Sequence, residues 1–185
     1  MIRIFDITFA FFGLTFLFPL LLVIWVIGWF DNRSPLFFQL RVGRYQHPFV
    51  VVKFRSMRVG TASLATHLTN PSSIGYFGRF LRRTKLDELP QLWNVLLGDM
   101  SLVGPRPCLP NQQDLINERL KLGVYDSKPG ITGLAQINHI NMSTPKILAE
   151  TDAKMIKDFS VYSYFKYIFM TLLGMGQGDA AVNHH

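Results

Sequence analysis

The chain has 185 residues, 49% hydrophobic and 14% aromatic, with a formal charge of +7. This composition excludes a disordered polar segment and suits one domain with an appended piece, while the charge points to anionic partners such as phospholipid, phosphorylated substrates or nucleic acid. A single cysteine, Cys108, excludes an internal disulfide and fits a reducing compartment, where it is expected to pack rather than react.

Residues 7–30, ITFAFFGLTFLFPLLLVIWVIGWF, run 24 positions without a charge. As a helix they reach about 36 Å, enough for a hydrocarbon core about 30 Å thick. Pro19 stands near the centre of the run, where it removes a backbone donor and predicts a kink. Two readings stay open on physics alone. One is a kinked spanning helix. The other is a helix–break–helix hairpin whose arms, about 16–18 Å each, enter and leave the same leaflet. The bases that follow the segment put the body in the cytosol.

PLFFQLRVG (35–43) and HPFVVVKFRSM (47–57) predict two strands with a turn over Gly43–Gln46. Residues 58–83 read mostly as loop, with a short Phe/Arg-rich turn at 77–83. Pro90–Leu97 predicts a helix with Leu89, Trp93, Leu96 and Leu97 on its inner face, stopped by Gly98. Residues 103–107, VGPRP, read as a stiff loop, 109–122 as a helix with polar faces, and 128–133 as a turn. Thr144–Asp158 predicts a helix capped by Thr144 with Pro145 at its first position. Residues 159–176 carry one charge and six aromatics, the composition of an interfacial helix or of a buried one. The fold class is therefore α+β: a membrane segment over 1–31, a small mixed catalytic domain with a β-hairpin over 32–158, an amphipathic interfacial helix over 159–176 and a tail over 177–185. The terminal His184 and His185 read as a tag remnant.

Between Asp31 and Asp87 there are ten basic residues and no acidic one. The run ends in the adjacent pair Asp87–Glu88, just before Pro90. The plain reading is that Asp87 caps the helix and Glu88 favours its dipole. The flanking Arg79, Arg82, Arg83 and Arg106 support a sharper one. Arginines grip phosphate oxygens with paired donors and would hold a carboxylate ionised. An ionised Asp87 can attack phosphorus, and Glu88 can help hold Mg²⁺. Neighbours do not share a helix face, so the two carboxylates should have distinct roles or occupy irregular backbone.

The stretches PLFFQLRVGR (35–44), FVVVKFRSM (49–57), GRFLRRTKLDELPQLWNVLLGDMSLVGPRP (78–107) and KPGITGLAQIN (128–138) resemble the small monotopic phosphoglycosyl transferases, the bacterial sugar transferases. The resemblance implies transfer of sugar-1-phosphate from a UDP-sugar to polyprenyl phosphate, such as undecaprenyl phosphate, with release of UMP. It implies that Asp87 is the nucleophile, that Glu88 supports Mg²⁺ or proton handling, and that both are metal ligands. Lys53, Arg55, Arg82, Arg83, Arg106, Gln136 and Asp152 are the implied substrate- and phosphate-binding residues. Pro19 is the implied re-entrant break, with Phe18 where the family has serine. The implied location is the bacterial inner membrane with a cytoplasmic catalytic domain, in glycoconjugate assembly. GLAQINHIN and the following NMSTPKILAETDA lean toward an N-acetylated amino or diamino deoxysugar. Nucleic acid is not an expected partner, because an apolar head and the absence of a recognised motif argue against it; a homo-oligomer is compatible with the sequence. The competing reading is a non-catalytic adaptor on anionic lipid, which leaves the acid pair beside GPRP unexplained. His139 reads as a polar loop residue, and the histidine spacing excludes a zinc site.

Overall fold

The computed structural model describes residues 1–59 and 74–176. Most of the expected 58–83 loop, and the tail with its two histidines, lie outside the described residues. Helix α1 (Ile2–Asn32) is one continuous helix that contains Pro19 and is long and apolar enough to cross a membrane. It carries two separate docking pairs. Asp6 and Ala10 are buried near one end, Ile24 and Gly28 near the other, each pair one helical turn apart. Between them nothing is buried, and Phe16 is 77% exposed.

After α1 the chain forms a hairpin of β1 (Leu36–Val42) and β2 (Pro48–Phe54), antiparallel from Leu36↔Phe54 to Val42↔Pro48. The predicted turn lies between them, with Tyr45 and Gln46 at positive φ. β2 stops at Phe54: Arg55 N still donates to Pro35 O at 2.8 Å in the ladder register, but Pro35 has no N–H to return the bond. The expected Phe/Arg turn is instead a nine-residue helix, α2 (Tyr76–Thr84). Its Leu81 joins Ile24 and Phe54 in a cluster. Gly78 is obligatory there, since a Cβ would stand 1.9 Å from Ser56 O.

Helix α3 (Gln91–Leu97) forms where predicted but turns a different face inward. Gln91, Asn94 and Val95 are buried, while Trp93 is 54% exposed and Leu97 is exposed too. Asn94 decides this orientation. Its Nδ2 donates to Val50 O at 2.7 Å and its Oδ1 accepts from Val52 N at 3.1 Å, fastening α3 to β2. Trp93 is thus a surface residue and not the expected core residue.

The 103–107 loop and 128–133 turn begin and end in strands that the sequence did not announce. β3 (Ser101–Val103) pairs in parallel with β4 (Gly130–Thr132). Gly104 and Gly130 permit the approach: a Cβ on Gly130 would fall 2.0 Å from Gly104 N. Helix α4 (Gln113–Lys121) starts later than expected, after Leu109 N is taken by Gln112 Oε1 at 2.8 Å. One turn, α5 (Leu134–Ile137), precedes α6 (Pro145–Lys157), which begins at Pro145 as predicted, although Thr144 makes no side-chain cap bond. The last helix, α7 (Val161–Leu172), has a capping box from Ser160 and Ser163. It realises both expectations, one on each face: Tyr164 and Tyr167 are buried, whereas Tyr162, Phe165, Phe169 and Leu172 are exposed.

Candidate active site

Helix α2 ends at Lys85, whose φ of 57° is unusual for a residue with a side chain. The left-handed residue turns the chain into a single 3₁₀ turn, Leu86–Glu88, ahead of α3. Asp87 is therefore not the N-cap of α3; it lies four residues before the first helical residue, Gln91. The irregular backbone gives the two acids different surroundings, as their adjacency required.

Glu88 Oε1 accepts from Arg106 Nη2 at 2.8 Å and from Lys53 Nζ at 3.2 Å. Three distant pieces of chain meet here: β2, the 3₁₀ turn and the Gly104–Pro107 loop. Burial disfavours the charged form of Glu88, but Arg106 and Lys53 outweigh it and hold the carboxyl at about 2. Asp87 behaves in the opposite way. Burial first, and then the Glu88 charge, push it up to about 6 against the pull of Lys53, Arg82 and Arg106. At about 6 Asp87 is still mostly ionised at neutral pH, as expected among these arginines, but desolvation and its neighbour outweigh the cations and narrow the margin. Burial also lowers Lys53, with Glu88 opposing.

Lys53, Glu88 and Arg106 line a small open cleft together with Arg41, Gln91 and Pro107. Cations outnumber carboxylates on its wall, which suits an oligo-anion. The surrounding sequence block, the acid pair and the basic cleft coincide with the matching segment of a known group: a family profile described as bacterial sugar transferase matches residues 1–178. The chain belongs to the bacterial sugar transferase family.

Curated members of that family show how the chain compares. It is 36% identical to the uncharacterized sugar transferase EpsL of Bacillus subtilis (strain 168), over 98% of this chain and 91% of that one. It is 38% identical to the UDP-glucose:undecaprenyl-phosphate glucose-1-phosphate transferase of Xanthomonas campestris pv. campestris, over 89% of this chain but 36% of that one. The Escherichia coli (strain K12) protein of the same name is 37% identical, over 90% and 38% respectively. The chain thus spans nearly all of the Bacillus transferase and little more than a third of the two larger relatives.

The other expected residues of this transferase family member lie at different distances from the cleft. Arg82 reaches Ser56 Oγ with its Nε at 2.8 Å, and its charge acts on Asp87. Arg83 is exposed on the last turn of α2. Arg55 serves the hairpin base, where it donates to Ser34 O and Leu36 O and lies over the Phe37 ring. Gln136 donates to Gly104 O at 3.2 Å, behind the GPRP loop. Asp152 is fully buried and bonded to Arg119 Nε and Nη2 at 3.0 and 2.7 Å. A carboxylate so enclosed does not face the cleft, so the direct phosphate-side role expected of Asp152 does not fit its position. Arg41 and Gln91 line the cleft and escaped the sequence reading. The alternation of FFQLRV offered a hint, since Gln39 and Arg41 share one face of β1 and both are buried.

Among the described residues there is no cluster of three or more His, Cys, Asp or Glu side chains that could cage a metal ion. Mg²⁺ does not need one. It commonly takes one or two carboxylates and completes its shell with substrate phosphates and water. Asp87, a buried acid beside another acid, is the kind of donor whose charged form a divalent cation favours.

Proposed function

We propose that this protein transfers sugar-1-phosphate from a UDP-sugar to polyprenyl phosphate through a phospho-sugar intermediate on Asp87. The observation that carries the reading is the asymmetric pair: one acid locked as an anion by Arg106 and Lys53, and its neighbour left with a carboxyl that gains from electrostatic help. In the first step an Asp87 carboxylate oxygen attacks the β-phosphorus. The bond from that phosphorus to the bridging oxygen breaks, and UMP leaves with that oxygen. In the second step an oxygen of polyprenyl phosphate attacks the same phosphorus and expels the Asp87 carboxylate, yielding polyprenyl-diphospho-sugar. Lys53 and Arg106 neutralise the phosphate oxygens, and Glu88 keeps both cations aimed. Asp87 and Glu88 would hold Mg²⁺, which supplies charge neutralisation between nucleophile and phosphates. The names of relatives containing UDP-glucose and undecaprenyl-phosphate support the substrate classes.

We place the reaction at headgroup depth. Both ends of α1 dock on the same body, through Arg3 and Asp6 at one end and Ile24 and Gly28 at the other, while Phe16 and Phe18 stand clear of it. A helix that returns to the body at both ends supports re-entry into the leaflet it entered, with the catalytic body in the cytosol. The exposed aromatics of α7 and Trp93 support contact with the same surface. For the donor sugar, the resemblance carried by NMSTPKILAETDA (141–153) leads us to an N-acetylated amino or diamino deoxysugar. The deciding experiment is UMP release from a panel of UDP-sugars with undecaprenyl phosphate, together with intact-mass analysis for a phospho-sugar adduct on Asp87. Full turnover by Asp87→Asn ends the proposal.

A further inference from the structure

The segment Gly104–Cys108 holds two prolines, so it has few N–H groups with which to anchor itself. It is held by its carbonyls instead, and five in a row are occupied. Gly104 O accepts from Gln136 Nε2, Pro105 O from Gly130 N at 2.9 Å, and Cys108 O from Val42 N at 3.0 Å. The two central carbonyls are each taken by a buried guanidinium, one carried by α4 and one by β1. Arg106 O accepts from Arg119 Nη1 at 2.9 Å, and Pro107 O from Arg41 Nη1 at 2.9 Å.

Each guanidinium is itself fixed. Asp152 Oδ2 takes Arg119 Nε and Nη2, and Gln39 Oε1 takes Arg41 Nε and Nη2. Arg119 is 1% exposed. A buried ion pair of this kind is weak evidence for stability, since well-packed apolar residues commonly do as well or better. A planar fork with its other edge clamped is, however, an accurate way to place a carbonyl. The residue between the two gripped carbonyls is the one whose side chain reaches Glu88 Oε1 at 2.8 Å.

We propose that Arg119–Asp152 and Arg41–Gln39 are positioning pairs that brace the Arg106–Pro107 backbone and so aim the Arg106 guanidinium at the transferred phosphate. This rests on the transferase reading and deepens it. It gives Asp152 a role that its burial allows. Arg119 and Asp152 act through Arg106 rather than on substrate.

The test is a double-mutant cycle on the full-length protein in detergent, with UMP release read as separate kcat and KM for UDP-sugar. Asp152→Asn keeps the volume and weakens the clamp. It should lower kcat/KM by about tenfold to a hundredfold, with the same split between kcat and KM as Arg106→Ala. Added to Arg106→Ala, it should change little, because the group it aims is gone. Arg41→Lys keeps the cleft charge but loses the planar fork, and serves as a second cycle should Asp152→Asn fail to fold. Losses that multiply onto Arg106→Ala, or a different kcat–KM split, overturn the brace. Asp87→Asn is run alongside: its full activity would sink the covalent reading whatever the cycle gives, whereas an inactive Asp87→Asn with additive cycles would sink the brace alone.

Discussion

Asp87 and Glu88 are chain neighbours held in opposite electrostatic states. Glu88 takes both Arg106 and Lys53 on one oxygen and sits at about 2, while Asp87 is pushed to about 6 by burial and by Glu88. The proposed nucleophile is therefore held at a disadvantage in the folded protein. An acid whose pKa is higher folded than unfolded contributes stability below its unfolded value, and loses that contribution as pH rises through 6. Ionised Asp87 then weighs against folding. Asp87→Asn should abolish adduct and turnover yet raise stability at pH 7.5 by on the order of 2 kcal/mol, with little gain at pH 4. Chemical denaturation of both proteins in metal-free detergent buffer at the two pH values measures this; a destabilised Asp87→Asn at pH 7.5 would contradict it.

The same asymmetry fixes the acid side of the rate profile. kcat/KM reports the free enzyme, and in the proposed reaction only ionised Asp87 attacks. At low, fixed Mg²⁺ the activity should fall as pH drops through about 6. Arg82 lowers Asp87 and Glu88 raises it, so two variants should move the limb in opposite directions. Arg82→Ala should shift it to higher pH, and the residual activity of Glu88→Gln should show it at lower pH. Limbs that move together would mean that another group titrates.

Much of this arrangement was written locally. The alternation of 35–57 gave the hairpin, Pro145 gave the start of α6, and the aromatic run gave α7. Non-local choices were hidden. β3 and β4 are three-residue strands whose approach Gly104 and Gly130 permit, and no period exists in three residues. Trp93 looked like core by spacing, but Asn94 found two backbone partners on β2 and rotated α3. The acid pair and Arg106 stood out by composition. The buried partners of the arginines did not, since Gln39 is two residues from Arg41 but Asp152 is 33 residues from Arg119.

Magnesium should bind in company. The chain offers two adjacent carboxylates, one oxygen of which already serves two cations. Phosphates must complete the shell. Calorimetric titration should show weak Mg²⁺ binding to the protein alone and binding tighter by about tenfold or more with UDP-sugar present, a coupling of over 1 kcal/mol. Chelation should stop adduct formation without lowering the melting temperature. Equal affinity with and without UDP-sugar would argue against a site shared with substrate.

The first turns of α1 belong to the catalytic body as much as to the membrane. Asp6 accepts from Ser101 Oγ at 3.0 Å, Leu102 N at 2.9 Å and Tyr164 Oη at 3.0 Å, and so joins α1, β3 and α7 at one buried point. Arg3 donates to Val95 O and Leu96 O at the end of α3, the helix that follows the acid pair. Removing the Asp6 carboxylate strands three donors, each worth roughly 1–3 kcal/mol when buried unsatisfied. Asp6→Ala should therefore destabilise by at least about 3 kcal/mol. Asp6→Asn, which keeps an acceptor but adds an amide where donors converge, should lie between it and the parent protein. Denaturant midpoints of the three proteins in one detergent check the order. On the proposed re-entrant reading, residue 1 and residue 33 lie on one side of the membrane, with α1 fastened to the body at both ends. Single cysteines at Met1 and Arg33, in a Cys108→Ser background, should be protected from an impermeant thiol reagent in intact cells and react after lysis. Labelling of the first alone before lysis would mean that α1 crosses the bilayer.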